Sequence, residues 1–476
     1  MKYNRDSEKM GTAPISGLLL KLSIPSILAA LVNNLYNVVD SIFVAQLNEK
    51  ALTALSLAAP IQILMAALGA GMATGINAVI SRSLGEKNDD AVKAAVKASI
   101  FLAGCSYLLI LIMQFVLLRR FFAWQTKDVE ILEYGIAYLQ VCMLFSFGCM
   151  LQWVFDRFLI STGKTSCFMI SLASASITNL ILDPILIFGR FGFPALGITG
   201  AGYATVIGQI VGAVVSILLN IYKNKEIPIS VTWKPEKKAL AGILKVGFPA
   251  ALMHGMTSVS GMLINAVLIG FSSTAVAIYG ICLKIQNVFM VVPHGIDLAM
   301  TPIVAYNFGA KKPKREKQAF GWGMIYSMVF MAFAVLFLEI FPQKILLLFN
   351  ASQHMLSMGA TAIRILALSM FISVYSLLLG AVLQALGKGV SSMLLTIARQ
   401  MIFLLPLVFL FKMTNQVSVI WFAFPIAEIL GALVGLYYHK KYFSFHATTQ
   451  LVSEQKKEPD IAEINHFINR TNKAKG

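Results

Sequence analysis

Long, nearly uninterrupted apolar segments run through this chain, and the first of them covers residues 22–44. A helix needs roughly 20 predominantly apolar residues to cross the hydrocarbon core of a bilayer. Hydropathy indicates twelve such segments in the 476 residues, so we predict an all-α polytopic membrane protein with twelve transmembrane helices. A β-barrel is excluded because it would show short alternating strands. The segments are 22–46, 53–81, 95–118, 133–160, 166–189, 198–222, 243–270, 275–305, 320–342, 357–385, 390–411 and 416–438.

The charge balance agrees with a membrane protein. Charged residues make up 13% of the chain, against about 25% in soluble domains. The formal net charge of +17 is concentrated in alternate loops, which indicates basic loops at a cytoplasmic membrane surface and not a nucleic-acid partner. By the positive-inside rule, both termini face the cytoplasm. The five cysteines lie in apolar stretches without metal-type spacing, so we predict neither disulfides nor a zinc site.

An internal repeat divides the chain into two halves. The segment KLSIP at 21–25 matches KVGFP at 245–249, an offset of 224 residues. The same offset converts Gly85 into Gly309 and Gly163 into Gly387. Because 224 residues contain six segments, an even number, the halves have the same orientation and form a parallel repeat, as in some transporters. We therefore predict two six-helix bundles that meet over a central cavity.

The predicted domains follow from this repeat. Residues 1–21 form a cytoplasmic N-terminal segment, 22–222 an N-lobe and 243–442 a C-lobe. A basic, proline-containing linker of residues 223–242 joins the lobes on the cytoplasmic side, and residues 443–476 form a polar cytoplasmic tail.

Polar side chains interrupt the first apolar segment on one helix face. Asn33, Tyr36, Asn37 and Asp40 are spaced so that they stack on the same side of a helix. A charged side chain at the centre of a bilayer costs about 2.5–3.5 kcal/mol on insertion scales. One interpretation is a carboxyl near the membrane surface or in a structural hydrogen bond. We favour a carboxylate that binds a cation or proton in a water-filled cavity.

A second polar face occurs in the fifth segment. Ser176, Asn179 and Asp183 follow i, i+3, i+7 spacing, and Pro184 comes next. We expect the proline to remove one backbone hydrogen bond, to bias Asp183 away from helical geometry and to leave carbonyl oxygens free for a cation. The repeat places Ile264 opposite Asp40 and Leu407 opposite Asp183, so this pair of carboxylates belongs to the N-lobe alone. Two buried carboxylates close together titrate as a coupled pair, which favours H⁺ as the ion bound there. Na⁺ could bind to the same oxygens instead.

These residues resemble the signatures of a known family. The first-segment run from Pro25 through YNVVDSIFV, together with NLILDP at 179–184, GITGAGYAT at 197–205 and PIVAYNFGA at 302–310, is similar to the multidrug and toxic compound extrusion (MATE) family, especially its MepA-like branch. The resemblance extends from about residue 18 to about residue 442. It implies a bacterial plasma-membrane antiporter that exports amphipathic, cationic drugs in exchange for H⁺ or Na⁺ by alternating access.

The resemblance also implies roles for individual residues. Asp40, Asn179 and Asp183 match the cation-coupling site of the N-lobe, and Tyr36 and Asn37 lie beside it on the same helix. Thr205 is the best match for a sixth-helix threonine that contributes in some members, and Thr199 is the second candidate. No metal site is implied except Na⁺ at Asp40, Asn179 and Asp183, and no other cofactor is implied.

The predicted substrate cavity combines polar with apolar side chains. Methionine and aromatic side chains adapt to flat organic cations, although most of the 22 Met and 32 Phe residues are expected to face lipid or the bundle core. The cavity candidates are Asn33, Gln62, Ser176, Met253, His254, Met256, Gln286, Phe289, Met290 and Asp297. For Asp297, a satisfied structural role is the alternative.

Two other functions compete with drug export. A flippase for a lipid-linked or other large amphipathic substrate would share the fold, but such a cavity favours basic residues, whereas the N-lobe candidates are acids and amides. An enzyme is disfavoured because the sequence shows no metal-ligand cluster, nucleophile motif or nucleotide-binding loop. We expect no ATP, no nucleic-acid partner and a monomeric protein in the lipid bilayer.

Overall fold

The computed structural model describes residues 6–232, 234–349 and 352–444, and of Asn37, Val38, His354, Phe443 and Ser444 it describes the backbone alone. This part of the chain is helical, with helices joined by short turns. The helices are α1 (Glu8–Thr12), α2 (Ile15–Ala45), α3 (Glu49–Gly85), α4 (Asp89–Gln125), α5 (Val129–Leu144), α6 (Phe147–Ser161), α7 (Thr165–Phe188), α8 (Ile198–Lys223), α9 (Lys237–Ile269), α10 (Ser273–Gly309), α11 (Pro313–Ile340), α12 (Pro342–Leu347), α13 (Gln353–Ala385), α14 (Gly389–Ile397), α15 (Leu405–Lys412), α16 (Val417–Ile420) and α17 (Ala423–His439).

The number of membrane spans agrees with the prediction. Within the described ranges, 11 helical segments are long and apolar enough to cross a bilayer, and the bent pair α5–α6 brings the number to 12. The pair bends by 47° at its break, so the fourth predicted segment is a broken helix. The eleventh is also irregular, because the π-helical turns Ala398–Leu404 separate α14 from α15.

Two further details differ from the sequence-based expectation. The predicted distortion at Asp183 is wrong, because α7 continues through Pro184 to Phe188. The proline still leaves the carbonyl of Leu180 without its usual helical donor. The predicted segment boundaries also shift, since α2 already begins at Ile15 and α9 at Lys237. The tail lies outside the described residues from position 445 onward.

The predicted repeat is confirmed in the helices themselves. Helices α3 and α10 each contain 37 residues, and the offset of 224 converts the bounds of α3 into those of α10. Both are capped in the same way, since the side chains of Asn48 and Ser272 accept hydrogen bonds from the backbone N–H three residues later. The turns that follow repeat as well, with positive φ angles of 55° at Lys87 and 56° at Lys311.

The lobes meet through close contacts that obey the same symmetry. A Cβ atom on Gly85 would lie 1.9 Å from the carbonyl oxygen of Tyr306, and one on Gly309 would lie 2.1 Å from that of Arg82. The offset of 224 converts the first pair into the second. Both contacts require glycine because no side chain fits where the backbones touch. They lie at the C-terminal ends of α3 and α10. Residues 6–14 lie on the same side of the molecule, so we call this side the N-terminal face.

Residues 6–13 fasten the two lobes together at this face, and we call them the clasp. On the N-lobe, Asp6 pairs with Lys164, and Ser7 donates hydrogen bonds through its backbone N–H and its hydroxyl to Glu226 of the linker. On the C-lobe, the contacts are made to backbone carbonyls of the clasp. They are Asn307 Nδ2 to Met10 O at 2.8 Å, Lys312 Nζ to Gly11 O at 2.8 Å, and Arg315 Nη2 to Met10 O at 3.1 Å and to Ala13 O at 2.6 Å.

Candidate functional site

Two carboxyl groups from different helices meet inside the N-lobe. Helix α2 packs against α7, and this contact brings Asp40 within hydrogen-bonding reach of Asp183. Asp183 is 0% exposed and Asp40 9% exposed. Two carboxyl groups can hydrogen-bond to each other only when one of them has a proton. Two ionised carboxylates at this distance repel each other, and a proton or a cation between them would remove that repulsion.

Asn179 links the pair to α8. With its amide oriented to satisfy both ends, its nitrogen donates to Asp183 Oδ2 at 3.2 Å and its oxygen accepts from the backbone N–H of Thr205 at 3.2 Å. The Thr205 side chain is also near. In the opposite orientation of the amide, Asn179 Nδ2 donates to Thr205 Oγ1 at 3.3 Å. The structure thus brings together the four residues Asp40, Asn179, Asp183 and Thr205.

The close approach of α7 and α8 depends on a small residue. A Cβ atom on Gly208 would lie 2.7 Å from the carbonyl oxygen of Ala175 and 3.2 Å from Cβ of Asn179. Any side chain at this position would push α8 away from Asn179. Gly208, the first residue of GQIVG at 208–212, therefore helps to position Thr205 beside Asn179.

One oxygen of the pair has no N–H or hydroxyl donor among the described residues. Asp40 Oδ1 is buried and accepts no hydrogen bond within the described ranges. A buried carboxyl oxygen without a donor is costly, so this atom is suited to a proton or a cation as its partner. Within the same ranges, no group of three or more His, Cys, Asp and Glu side chains forms a metal site. Na⁺ would thus need the amide, hydroxyl and backbone oxygens nearby as further ligands.

The sequence analysis missed Tyr138 and Cys142 of α5. Both are buried, and both are electrostatic neighbours of Asp40. Tyr138 OH accepts a hydrogen bond of 2.9 Å from Gln62 Nε2. This bond holds the Gln62 side chain in the N-lobe, beside the carboxyl pair. The available signal was the tyrosine inside the fourth apolar segment, but its spacing indicates no particular partner.

The remaining N-lobe candidates occupy less direct positions. Tyr36 lies one turn before Asp40 on α2, and Asn33 and Tyr36 are both half-buried. Asn37 has no described side chain, so its predicted role falls outside what the structure describes. Ser176 is buried, and its hydroxyl donates to Leu172 O at 3.0 Å on its own helix. It therefore makes a helical hydrogen bond on α7.

The C-lobe candidates do not form one cluster with the carboxyl pair. The sulfur of Met253 accepts weak hydrogen bonds from Gln384 and Ser392, which places it in C-lobe packing. Met290 is buried in the core, and Phe289 packs on the ring of Phe337.

Other C-lobe candidates are partly accessible. Asp297 accepts a hydrogen bond of 3.1 Å from Thr301 Oγ1, so its structural interpretation has a partner. His254 is exposed on α9, while Met256 and Gln286 are half-buried.

Comparison with known proteins agrees with this architecture. A family model described as MatE matches residues 25–185 and 249–410, and the two ranges begin 224 residues apart. The chain is 26% identical over 445 residues to an FAD transporter of Shewanella oneidensis, which covers 91% of this chain and 96% of the relative. It is 26% identical over 428 residues to the multidrug export protein MepA of Staphylococcus saprophyticus, which covers 88% and 92%.

A solved structure shares the fold. It is described as the outward-facing conformation of a multidrug resistance MATE family transporter of the MOP superfamily. It superposes with a TM-score of 0.86 at 23% identity and covers 92% of this chain and 98% of its own. Because the family match extends over both lobes, and the helices repeat as two bundles, the chain belongs to the MatE family, a family of multi-pass membrane transporters and not of enzymes.

Proposed function

We propose that this protein is a secondary active exporter that exchanges an amphipathic organic cation for H⁺, with Na⁺ as the alternative coupling ion. The observation that supports this most is the buried Asp40–Asp183 pair, in which the two carboxyl groups lie within hydrogen-bonding reach. A proton-dependent contact between two helices couples ion binding to helix position. The MepA relative, named as a multidrug export protein, supports organic drugs as the cargo.

The geometry suggests how coupling works. When a proton enters from outside, it allows Asp40 and Asp183 to hydrogen-bond, which draws α2 toward α7. Helix α2 contains Pro25, which removes one backbone hydrogen bond and makes this part of the helix easier to bend. Closing α2 onto α7 narrows the N-lobe pocket and expels the cargo. The close lobe contacts at the N-terminal face, predicted to be cytoplasmic, fit a state whose cavity opens outward.

The first experiment is dye export from liposomes that contain the purified protein, with a pH gradient and a Na⁺ gradient imposed separately. We expect the pH gradient to drive a fluorescent cationic dye, and Asp40→Asn and Asp183→Asn each to abolish the proton-driven component. Each asparagine keeps the shape of the side chain but cannot exchange a proton.

The matched control is Glu339→Gln, because this carboxylate lies on α11 and pairs with Arg364 at 3.4 Å, away from the pair. It should export dye at the rate of the unmodified protein. If both aspartate variants export dye as well as the control does, at equal protein content, the carboxyl pair is not the coupling site. Transport driven by Na⁺ alone would change the coupling ion and leave the site in place.

The cargo is tested in the same vesicles. The FAD transporter relative makes a flavin nucleotide the natural anionic comparison, and a lipid-linked glycan tests the flippase alternative. We expect cationic dyes to be exported in preference to either, because the N-lobe site consists of carboxyl, amide and hydroxyl groups. A monomer in the bilayer, cytoplasmic termini and independence of ATP and other cofactors complete the proposal.

A further inference from the structure

A second carboxyl group is buried in the N-lobe, away from the coupling pair. Asp156 lies on α6 and is 5% exposed. Within the described ranges no lysine, arginine or histidine nitrogen forms an ion pair with this carboxyl group. Its polar neighbours are hydroxyl groups instead. An ionised carboxylate that is buried without an ion pair is costly. The surroundings of Asp156 therefore favour a carboxyl group that can bind a proton.

Two serines surround this carboxyl group. Ser216 of α8 donates to Asp156 Oδ1 at 2.7 Å. Ser171 of α7 lies beside Asp156, and its hydroxyl donates to the carbonyl oxygen of Gly212 at 3.1 Å. A hydroxyl group has one hydrogen and can also accept. Ser171 can thus donate to an ionised Asp156, or accept from a protonated one while it donates to Gly212.

A third polar side chain in this cluster has an unused donor. Gln152 precedes Asp156 by one helical turn, is 7% exposed, and its Nε2 has no hydrogen-bond partner within the described ranges. It lies against Gly212, where an added Cβ atom would be 2.4 Å from Nε2. A buried amide N–H without a partner is costly, so Gln152 Nε2 is available to donate to a further acceptor in this cluster.

The cluster continues toward the N-terminal face along α8. Ser216, Asn220 and Asn224 are spaced four residues apart, so they share one face of the helix. Asn220 donates to Ser216 O and to Phe155 O at 2.9 Å each. Asn224 donates to Asn220 Oδ1 at 2.9 Å, while its own buried Oδ1 has no partner within the described ranges.

This polar face ends beside a pocket. The pocket has a volume of about 390 Å³ and lies at the N-terminal face beside the end of α8. Its lining includes Asp6, Lys93, Lys164, Lys223 and Glu226. A pocket with charged walls at a membrane surface holds water, so it can supply or accept protons.

The charges around Asp156 are few. Its electrostatic neighbours on α6 are Arg157 and the Cys149 thiol, while α7 and α8 present the two serine hydroxyl groups. Arg157 stacks over the ring of Trp153 at 5.5 Å and is an electrostatic neighbour of Asp297 on α10. From α3 and α4, no charged nitrogen among the described residues forms an ion pair with Asp156.

We propose that Asp156 is a second proton-binding group of the N-lobe, which exchanges its proton with water on the cytoplasmic side. When the site is loaded, a proton from water bonds to the carboxylate, and Ser171 turns its hydrogen toward Gly212 O. When the proton leaves for water, the O–H bond of the acid breaks and Ser171 donates to the carboxylate again. Proton binding here is independent of the cargo, but its use in transport rests on the proposed antiport.

The test reads the bound proton directly. Infrared difference spectra of the full-length protein in liposomes, recorded between acidic and alkaline buffer, show the carbonyl stretch of each carboxylic acid that titrates. We expect Asp156→Asn to remove one band that persists in the Asp40→Asn/Asp183→Asn double variant. We expect Ser216→Ala to shift this band to higher frequency, because the acid loses a hydrogen-bond donor. Glu339→Gln should leave the band in place.

The outcomes separate this inference from the proposed function. If the spectrum of folded Asp156→Asn matches that of the unmodified protein, and Ser216→Ala shifts nothing, Asp156 does not exchange a proton and the inference fails. If the band is present but no gradient drives export, the antiport proposal fails while the proton site stands. If the infrared band and gradient-driven export are both observed, proton-driven export by Asp156→Asn should be slower than that of the unmodified protein, at unchanged dye binding. An unchanged export rate would remove Asp156 from the transport cycle.

Discussion

Asn179 contacts Asp183 through one end of its amide and α8 through the other. At the scale of single residues, this makes it the side chain that connects the carboxyl pair to a third helix. The Asn179 amide nitrogen donates to Asp183, which is fully buried, so water cannot replace this hydrogen bond if it is lost. The amide thus fixes the position of Asp183 as well as its hydrogen bonding.

We expect Asn179→Ala to weaken binding of the coupling cation about tenfold or more, because a hydrogen bond to a charged group contributes about 1.5–3 kcal/mol. The measurement is the cation concentration that gives half-maximal dye export. Ser174→Ala is the control, since this exposed hydroxyl on the same helix donates to Ile170 O. Equal half-maximal concentrations in the two variants would contradict the role assigned to Asn179.

Helices α3 and α10 show what the repeat means at the scale of elements. They have equal lengths, matching caps, and glycines that touch the other lobe at Gly85 and Gly309. Because each glycine meets backbone and not a flexible side chain, the contact cannot adapt to a methyl group. Closure of the N-terminal face therefore depends equally on both positions.

Gly85→Ala and Gly309→Ala should each destabilise the observed state by about 1–3 kcal/mol and by similar amounts. Spin labels placed on the two lobes at the N-terminal face should report longer distances in either variant. Gly104→Ala on α4 should change nothing, because an added Cβ there meets no atom within 4 Å. An effect of Gly85→Ala alone would show that the two contacts are not equivalent.

At the scale of the whole molecule, the clasp connects lobes that are otherwise joined by a linker and by packing. It contacts the N-lobe through the side chain of Asp6, the linker through Ser7, and the C-lobe through its backbone carbonyls. Hydrogen bonds from Lys164 and Lys9 lower the pKa of Asp6 from 3.8 to about 2. A lowered pKa in the folded state stabilises the clasp above a pH of about 4, and this contribution is lost as the pH falls toward 2.

Removing one cationic side chain should release the clasp. Arg315→Ala deletes the donors to Met10 O and Ala13 O, so amide hydrogens of residues 8–13 should exchange faster with deuterium at neutral pH. Lys314→Ala is the control on the same helix, because its exposed side chain makes no hydrogen bond or ion pair with the described residues. Unchanged exchange in Arg315→Ala would show that the other contacts, such as Asn307 with Met10 O and Lys312 with Gly11 O, hold the clasp without Arg315.

Much of the architecture was available from the sequence because it depends on local or periodic patterns. Apolar length predicts spans, and the offset of 224 predicts two similar lobes whose end contacts match. Asp40, Asn179 and Asp183 were found because a carboxyl or amide inside an apolar segment is unusual. Thr205 came from resemblance to the family, and its place beside Asn179 agrees with that assignment.

The sequence by itself determined the helices, the repeat and the polar face of each segment, since these follow from the order of residues along one helix. Only the tertiary structure decided which faces meet. The contact of Asp40 with Asp183, the position of Tyr138, the hydroxyl groups around Asp156 and the clasp all join residues on different elements. Hydropathy shows that a face is polar, but its partner is set by how whole helices pack, where small residues such as Gly208 and Gly85 allow backbones to touch.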